Sequence, residues 1–123
     1  MAQGVSKTLI DAAGGLLCVS ALEDRAFGEA GADLGEGPES LVLYRDGDTV
    51  RAWRNVCPHA GRRLDWAPGK FLCSKDGLLV CAVHGASFEA TAGLCVAGPC
   101  RGQSLRPVPV VVRDGLVHLA TAA

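Results

Sequence analysis

The sequence predicts an all-β fold, an antiparallel sandwich or small barrel, and three observations carry that expectation. No stretch sustains apolar residues at helical spacing for three turns. Short runs of strand-forming residues are punctuated by Gly-centred turns at Asp46-Gly47-Asp48, Asp76-Gly77, Ala92-Gly93 and Asp114-Gly115. The joined segments are short, which favours hairpins over the helical crossovers of a βαβ fold.

Taken in order, Leu16 to Ser20 reads as an opening strand, whereas Ala26 to Ser40, rich in Gly, Ala and acidic residues, reads as an exposed loop of little regularity. Leu41 to Tyr44 and Thr49 to Val56 form a hairpin with Leu41, Leu43, Val50 and Ala52 facing inward. Lys70 to Cys73 then pairs with Leu78 to Cys81, Ala86 to Ala90 with Leu94 to Val96, and Val108 to Arg113 with Leu116 to Leu119. Pro107-Val108-Pro109 places the last pair at an edge, because a central strand would lose ladder donors. No internal repeat is evident.

A chain of 123 residues is the size of one domain, and 1–123 is read as a single unit. Its 12 basic and 13 acidic side chains, with two Trp, one Tyr and three Phe, lack both the basic excess and the stacking platform of a nucleic-acid binder. Hydrophobic residues make up 49% but never form a run long enough to cross a membrane. After Lys7, Asp11 and the glycines at 14 and 15 interrupt any apolar export segment, and no twin-arginine motif precedes it, so a soluble, cytoplasmic protein is expected. In a reducing compartment the six cysteines serve as metal ligands or free thiols rather than as a disulfide framework.

Two short motifs carry the chemistry. Cys57-Pro58-His59 and Cys81-Ala82-Val83-His84 are separated by 21 residues, and each offers one thiolate and one imidazole from a strand end, Val56 and Val80 being the last apolar residues before them. Two hairpin tips on a rigid sheet suit the presentation of Cys57, His59, Cys81 and His84 to one metal centre. A structural zinc site also takes two thiolates and two imidazoles, but zinc sites usually group Cys pairs and His pairs, while this chain alternates them.

The pattern C-x-H, this gap, then C-x-x-H resembles the Rieske family, and the resemblance runs from about Leu16 to Leu119, with a two-loop cluster-binding part at about 55–101. It implies one Rieske 2Fe-2S cluster, with Cys57 and Cys81 on a buried iron and His59 and His84 on a solvent-facing one. Cys57 to Leu64 is similar to the first cluster loop and Cys81 to Phe88 to the second, where Gly61 and Gly85 let backbone amides approach the cluster sulfurs. Gly98-Pro99 resembles the proline-bearing loop that covers the cluster. High-potential members bridge their loops with a cysteine pair, but Arg62 and Val83 occupy those positions here. Ala86 and Phe88 stand where those members carry Ser and Tyr hydroxyls, so the resemblance implies a potential near the low end of the family's roughly −150 to +300 mV span.

The resemblance is closest to soluble Rieske-type ferredoxins, which carry single electrons from a flavin reductase to a terminal oxygenase, and it implies redox partner proteins and a monomer or weak oligomer. No catalytic residue is assigned, and electron transfer is expected rather than stand-alone enzyme activity. A nitrite-reductase small subunit and a redox-sensing regulatory module are the alternatives. Cys18 and Cys73 fall in predicted strands and are expected in the core. Cys95 and Cys100 flank the covering loop, where a reversible disulfide would modulate the centre. His118 is expected to be a surface or packed strand residue, and Trp53 and Trp66 to be packing residues near the cluster end. Arg62 and Arg63, beside His59, are candidates for steering an acidic partner.

Overall fold

A computed structural model describes residues 16–35, 37–58, 61–82 and 85–120. In chain order its strands are β1 (Leu17–Cys18), β2 (Phe27–Asp33), β3 (Pro38–Asp46), β4 (Thr49–Arg54), β5 (Leu72–Cys73), β6 (Leu79–Val80), β7 (Ser87–Phe88), β8 (Cys95–Ala97), β9 (Val110–Arg113) and β10 (Leu116–Leu119), with one 3₁₀ turn at Val19–Ala21. They form three antiparallel sheets, ordered β1-β10-β9, β2-β3-β4 and β5-β6-β7-β8. The expected all-β class therefore holds, and all four Gly-centred hairpins are present.

The central sheet is covered on both faces. Leu41 and Leu43 of β3, with Val50 and Ala52 of β4, join Ala30, Ala32, Val108 and Val117 in one core against β1-β10-β9. Val42 and Trp53, pointing the opposite way by the two-residue alternation of a strand, join Leu64, Leu79, Phe88 and Leu105 in a second core under β5-β6-β7-β8. This double burial explains the unbroken apolar run Leu41-Val42-Leu43, where a half-exposed strand would alternate. The four inward residues expected of this hairpin are all buried.

The segment 26–40 differs from expectation. Phe27–Asp33 is a seven-residue strand paired along its whole length with β3, from Phe27↔Tyr44 to Asp33↔Pro38. Gly and Ala give a weak strand signal, yet here small size is what the packing requires. A Cβ on Gly28 would lie 2.3 Å from Leu22 Cδ2, and Ala30 and Ala32 are completely buried.

At the other end, Val108 N donates to Ala52 O at 2.9 Å, and Pro107 bridges Trp53. The alternation Pro-Val-Pro thus leaves its only N–H facing β4 and none facing away, as an edge segment needs. Cys18 and Cys73 lie in β1 and β5 as expected, but both are exposed: Cys18 is the outward residue of β1, and β5 is exposed at both of its residues. Trp53 is buried, but Trp66 is 59% exposed and does not pack as expected. His118 is a buried residue of β10. No helix among the described residues is long and apolar enough to cross a membrane.

Candidate metal centre

Both cysteines of the motifs sit at the mouth of the second core, each about 1% exposed. The chain around them makes the same turn twice. Cys57 N donates to Arg62 O at 2.7 Å and Gly61 N returns to Cys57 O at 2.8 Å; Cys81 N donates to Ala86 O at 2.7 Å and Gly85 N returns to Cys81 O at 3.0 Å. Gly61 (φ 68°) and Gly85 (φ 76°) sit four residues after their cysteines in left-handed backbone that favours glycine. The spacing C-x-x-x-G is therefore the common frame of the two loops, while the histidines occupy different positions within it. Ala82 N donates to Leu64 O at 3.3 Å and ties one turn to the other. His59 and His84, with Ala60 and Val83, lie outside the described residues.

The walls of this site are apolar and close. Ala86 and Phe88 are completely buried. The covering segment packs directly onto the second turn, for a Cβ on Gly98 would lie 2.7 Å from Ala86 Cα. Behind the first turn, Cys100 Sγ is 3.1 Å from Cys95 Sγ, and both thiols belong to the core that holds Cys57 and Cys81. Burial, reinforced by neighbouring Cys95 and Cys57, pushes the Cys100 thiol up to about 12, so at neutral pH it remains an S–H group. None of the six cysteines is in a disulfide.

A polar network fixes the first turn from outside. Leu64 N donates to Asn55 Oδ1 at 2.9 Å, Asn55 Nδ2 donates to Ser40 Oγ at 3.1 Å, and Ser40 Oγ donates to Glu29 Oε2 at 2.7 Å. Arg63 closes the circuit: its Nη2 donates to Glu29 Oε2 at 2.9 Å and to Asp65 Oδ2 at 2.7 Å, and its Nε donates to Asp65 Oδ1 at 2.9 Å. Burial alone would raise the Asp65 carboxyl, but hydrogen bonds from Arg63 and Gly69 N hold it below the usual carboxylate range. The carboxylates raise the Arg63 guanidinium further still.

Arg63, though about half exposed, is therefore engaged within the molecule by Glu29 and Asp65, and its neighbour Arg62 is exposed. Sequence reading missed Asn55, Ser40 and Glu29. A polar residue between the buried Trp53 and Cys57 was the available signal, since buried amides need partners.

The chain belongs to the Rieske [2Fe-2S] domain family, whose family model matches residues 18–115. Its cofactor is accordingly a Rieske 2Fe-2S cluster. Over 71 residues, 58% of this chain, the sequence is 31% identical to the oxidoreductase NdmD of Pseudomonas putida, of whose length the match spans only 11%. The fold is shared with the ferredoxin of carbazole 1,9a-dioxygenase from Nocardioides aromaticivorans IC177, at 23% identity and a TM-score of 0.67, covering 90% of this chain and 97% of that one. It is shared also with a chain in a complex of reduced oxygenase and oxidized ferredoxin in carbazole 1,9a-dioxygenase, at 24% identity and a TM-score of 0.65, covering 86% of this chain and 90% of that one.

The described residues fit the cluster. Two buried thiols rise from twin turns, apolar side chains line the site, and a Cβ on Gly61 or Gly85 would meet nothing within 4 Å, leaving the turn faces open.

Proposed function

We propose that this chain is a soluble, cytoplasmic, single-electron carrier in which Cys57 and Cys81 hold the buried iron of the cluster and His59 and His84 the outer one. When bound, the cluster supplies reversible one-electron oxidation and reduction. The protein's own contribution is geometric and dielectric. The twinned turns set the two thiols at fixed positions, and Leu64, Phe88 and Leu105 keep water from the sulfur side.

The observation that carries this reading is the repeated turn around Cys57 and Cys81: one backbone frame used twice, in turns tied by Ala82 N donating to Leu64 O and with both thiols in one core, supports a single shared centre. Ala86 and Phe88, buried and without side-chain hydroxyls, donate no hydrogen bond to sulfur, which favours a midpoint potential near the family's low end, roughly −150 mV. A flavin reductase is assigned as donor and a terminal oxygenase as acceptor; the fold shared with a ferredoxin of carbazole 1,9a-dioxygenase supports the oxygenase side of this reading. The exposed Arg62 beside the first turn suits an acidic face on either partner.

The test is spectroscopic and kinetic. The purified protein is expected to be red-brown, with a rhombic resonance on reduction that is lost in Cys57→Ser, Cys81→Ser, His59→Ala and His84→Ala. It is expected to sustain electron flow from a flavin reductase to a terminal oxygenase. A colourless protein with stoichiometric zinc overturns the reading, and a midpoint above about +100 mV overturns the low-potential assignment.

A further inference from the structure

The segment from Cys95 to Cys100, packed on the second turn through Gly98, holds two thiols together. Its backbone is closed by Cys95 N donating to Gln103 O at 2.8 Å, Gly102 N to Cys95 O at 3.0 Å and Gln103 N to Cys100 O at 2.9 Å. Inside this closed loop the two sulfurs lie 3.1 Å apart, about 1 Å beyond the length of a disulfide bond. The reversal between them is made at Gly98, whose φ of 98° costs glycine little. Both sulfurs are buried, but 96–99 and 101–104 are exposed, so the pair sits one residue layer beneath the surface. Both thiols belong to the core that holds Cys57 and Cys81, and Gly98 between them packs onto the second turn, where a Cβ on it would lie 2.7 Å from Ala86 Cα.

We propose that Cys95 and Cys100 constitute a second redox site, a dithiol that closes to a disulfide in the core beneath the two turns and thereby lowers the potential of the one-electron centre. On closure two S–H bonds break and one S–S bond forms. The two electrons and two protons pass to a low-molecular-weight disulfide, which leaves as two thiols. Little backbone movement is required, since the loop already holds the sulfurs together. The consequence for the cluster is electrostatic. As thiols the pair keeps an S–H group in the core beside the two turns, Cys100 Sγ donating to Cys95 Sγ at 3.1 Å, whereas a disulfide has no hydrogen to give. A donor near a ligating sulfur stabilises the more negative, reduced cluster, and its loss makes reduction harder. Disulfide formation stands on the Cys95–Cys100 geometry alone; its coupling to the potential rests on Cys57 being a ligand.

The holoprotein is equilibrated in glutathione buffers from fully reduced to fully oxidised, quenched in acid, alkylated in denaturant and digested with trypsin. The peptide from Asp76 to Arg101 carries Cys81, Cys95 and Cys100. Three alkyl groups are expected at the reducing end. At the oxidising end one is expected, with fragmentation placing the unmodified pair at Cys95 and Cys100 and with the cluster's visible absorption retained. The midpoint potential measured in the oxidising buffer is expected below that in the reducing buffer, and Cys95→Ser is expected to show one value in both.

Three alkyl groups throughout, or a glutathione adduct on a single cysteine, overturns the disulfide. A bridged peptide with an unmoved midpoint overturns the coupling. Should Cys95→Ser fail to fold, the wild-type peptide masses and midpoints decide alone. Failure of the cluster assignment itself is distinguishable, because it is read from Cys57→Ser spectra and not from alkylation.

Discussion

The amide of Leu64 donates to the side-chain oxygen of Asn55 at 2.9 Å, and through this one bond the first cluster turn is fastened to the central sheet. Asn55 leaves β4 with its own N–H on Ser40 O and its amide nitrogen on Ser40 Oγ, so both ends of the side chain are bound. The turn between Asn55 and Leu64 is thereby pinned at its base, with Cys57 near one end and Arg63 at the other.

Asn55→Ala leaves the Leu64 N–H and the Ser40 hydroxyl without this partner in a buried site. A loss of about 1–3 kcal/mol is expected, which at roughly 4 °C per kcal/mol lowers the melting temperature by about 4–12 °C. Calorimetry of the holoprotein measures it, and faster bleaching of the visible absorption is expected alongside. An unchanged melting temperature refutes the pinning role.

Arg62 and Arg63 are expected to separate cleanly. Arg62→Glu slows electron exchange with an acidic partner about 3- to 10-fold at low ionic strength, and the effect fades above roughly 0.3 M salt. Arg63→Ala leaves that salt dependence in place and instead costs about 0.5–1 kcal/mol, a modest figure because its guanidinium is half exposed. Stopped-flow rates against salt, with urea melts of both variants, decide; equal salt slopes for Arg62→Glu and wild type exclude steering.

Asp65 gives the fold an acid limit. Its carboxyl is held below the usual range in the folded protein, so the folded state favours the ionised form. The stabilisation is complete above the unfolded value of about 3.9 and is lost as pH falls through the lower folded value. Urea midpoints taken from pH 6 to pH 2 are expected to fall more steeply for wild type than for Asp65→Asn below about pH 4. Parallel curves would remove Asp65 from the account.

Gly98 and Gly102 separate contact from conformation. Both have positive φ, 98° and 93°, so each pays about 1 kcal/mol of left-handed strain when replaced by Ala. Only Gly98 also has backbone in the way, with Ala86 Cα 2.7 Å from its Cβ position, whereas a Cβ on Gly102 meets nothing within 4 Å. Gly98→Ala is therefore expected to lift the covering segment off the second turn and shorten the lifetime of the bound cluster in air. Gly102→Ala is expected to lose stability alone. Visible absorbance followed over hours distinguishes them.

Much of the architecture could be read without coordinates wherever a local rule was enough. The Asp-Gly turns place glycine where positive φ is needed, Gly47 at 64° and Gly77 at 84°, and the hairpins they close are those expected. The strand Phe27–Asp33 was illegible for a physical reason: its Gly and Ala residues carry little intrinsic β preference, and only the bulk of Leu22, Leu41 and Leu43 opposite makes small side chains the right ones. Cys18 and Cys73 misled because a two-residue strand has too little pattern to say which face is inside.

What the sequence determined by itself is the pair of motifs, Cys57-Pro58-His59 and Cys81-Ala82-Val83-His84, on which the proposed ligand set rests, and the presence of Arg62 and Val83 in place of bridging cysteines, since residue identity and spacing are properties of the chain alone. What the tertiary structure decided is everything that depends on approach between distant segments. The second core lies on the far face of β3, the turns at Cys57 and Cys81 share one hydrogen-bond frame, and Arg63 is bound to Glu29 34 positions earlier in the chain. Cys100 is set against Cys95 in the core that also holds Cys57 and Cys81. Burial and hydrogen bonding act through space at a few ångströms, and only folding converts separation along the chain into that distance.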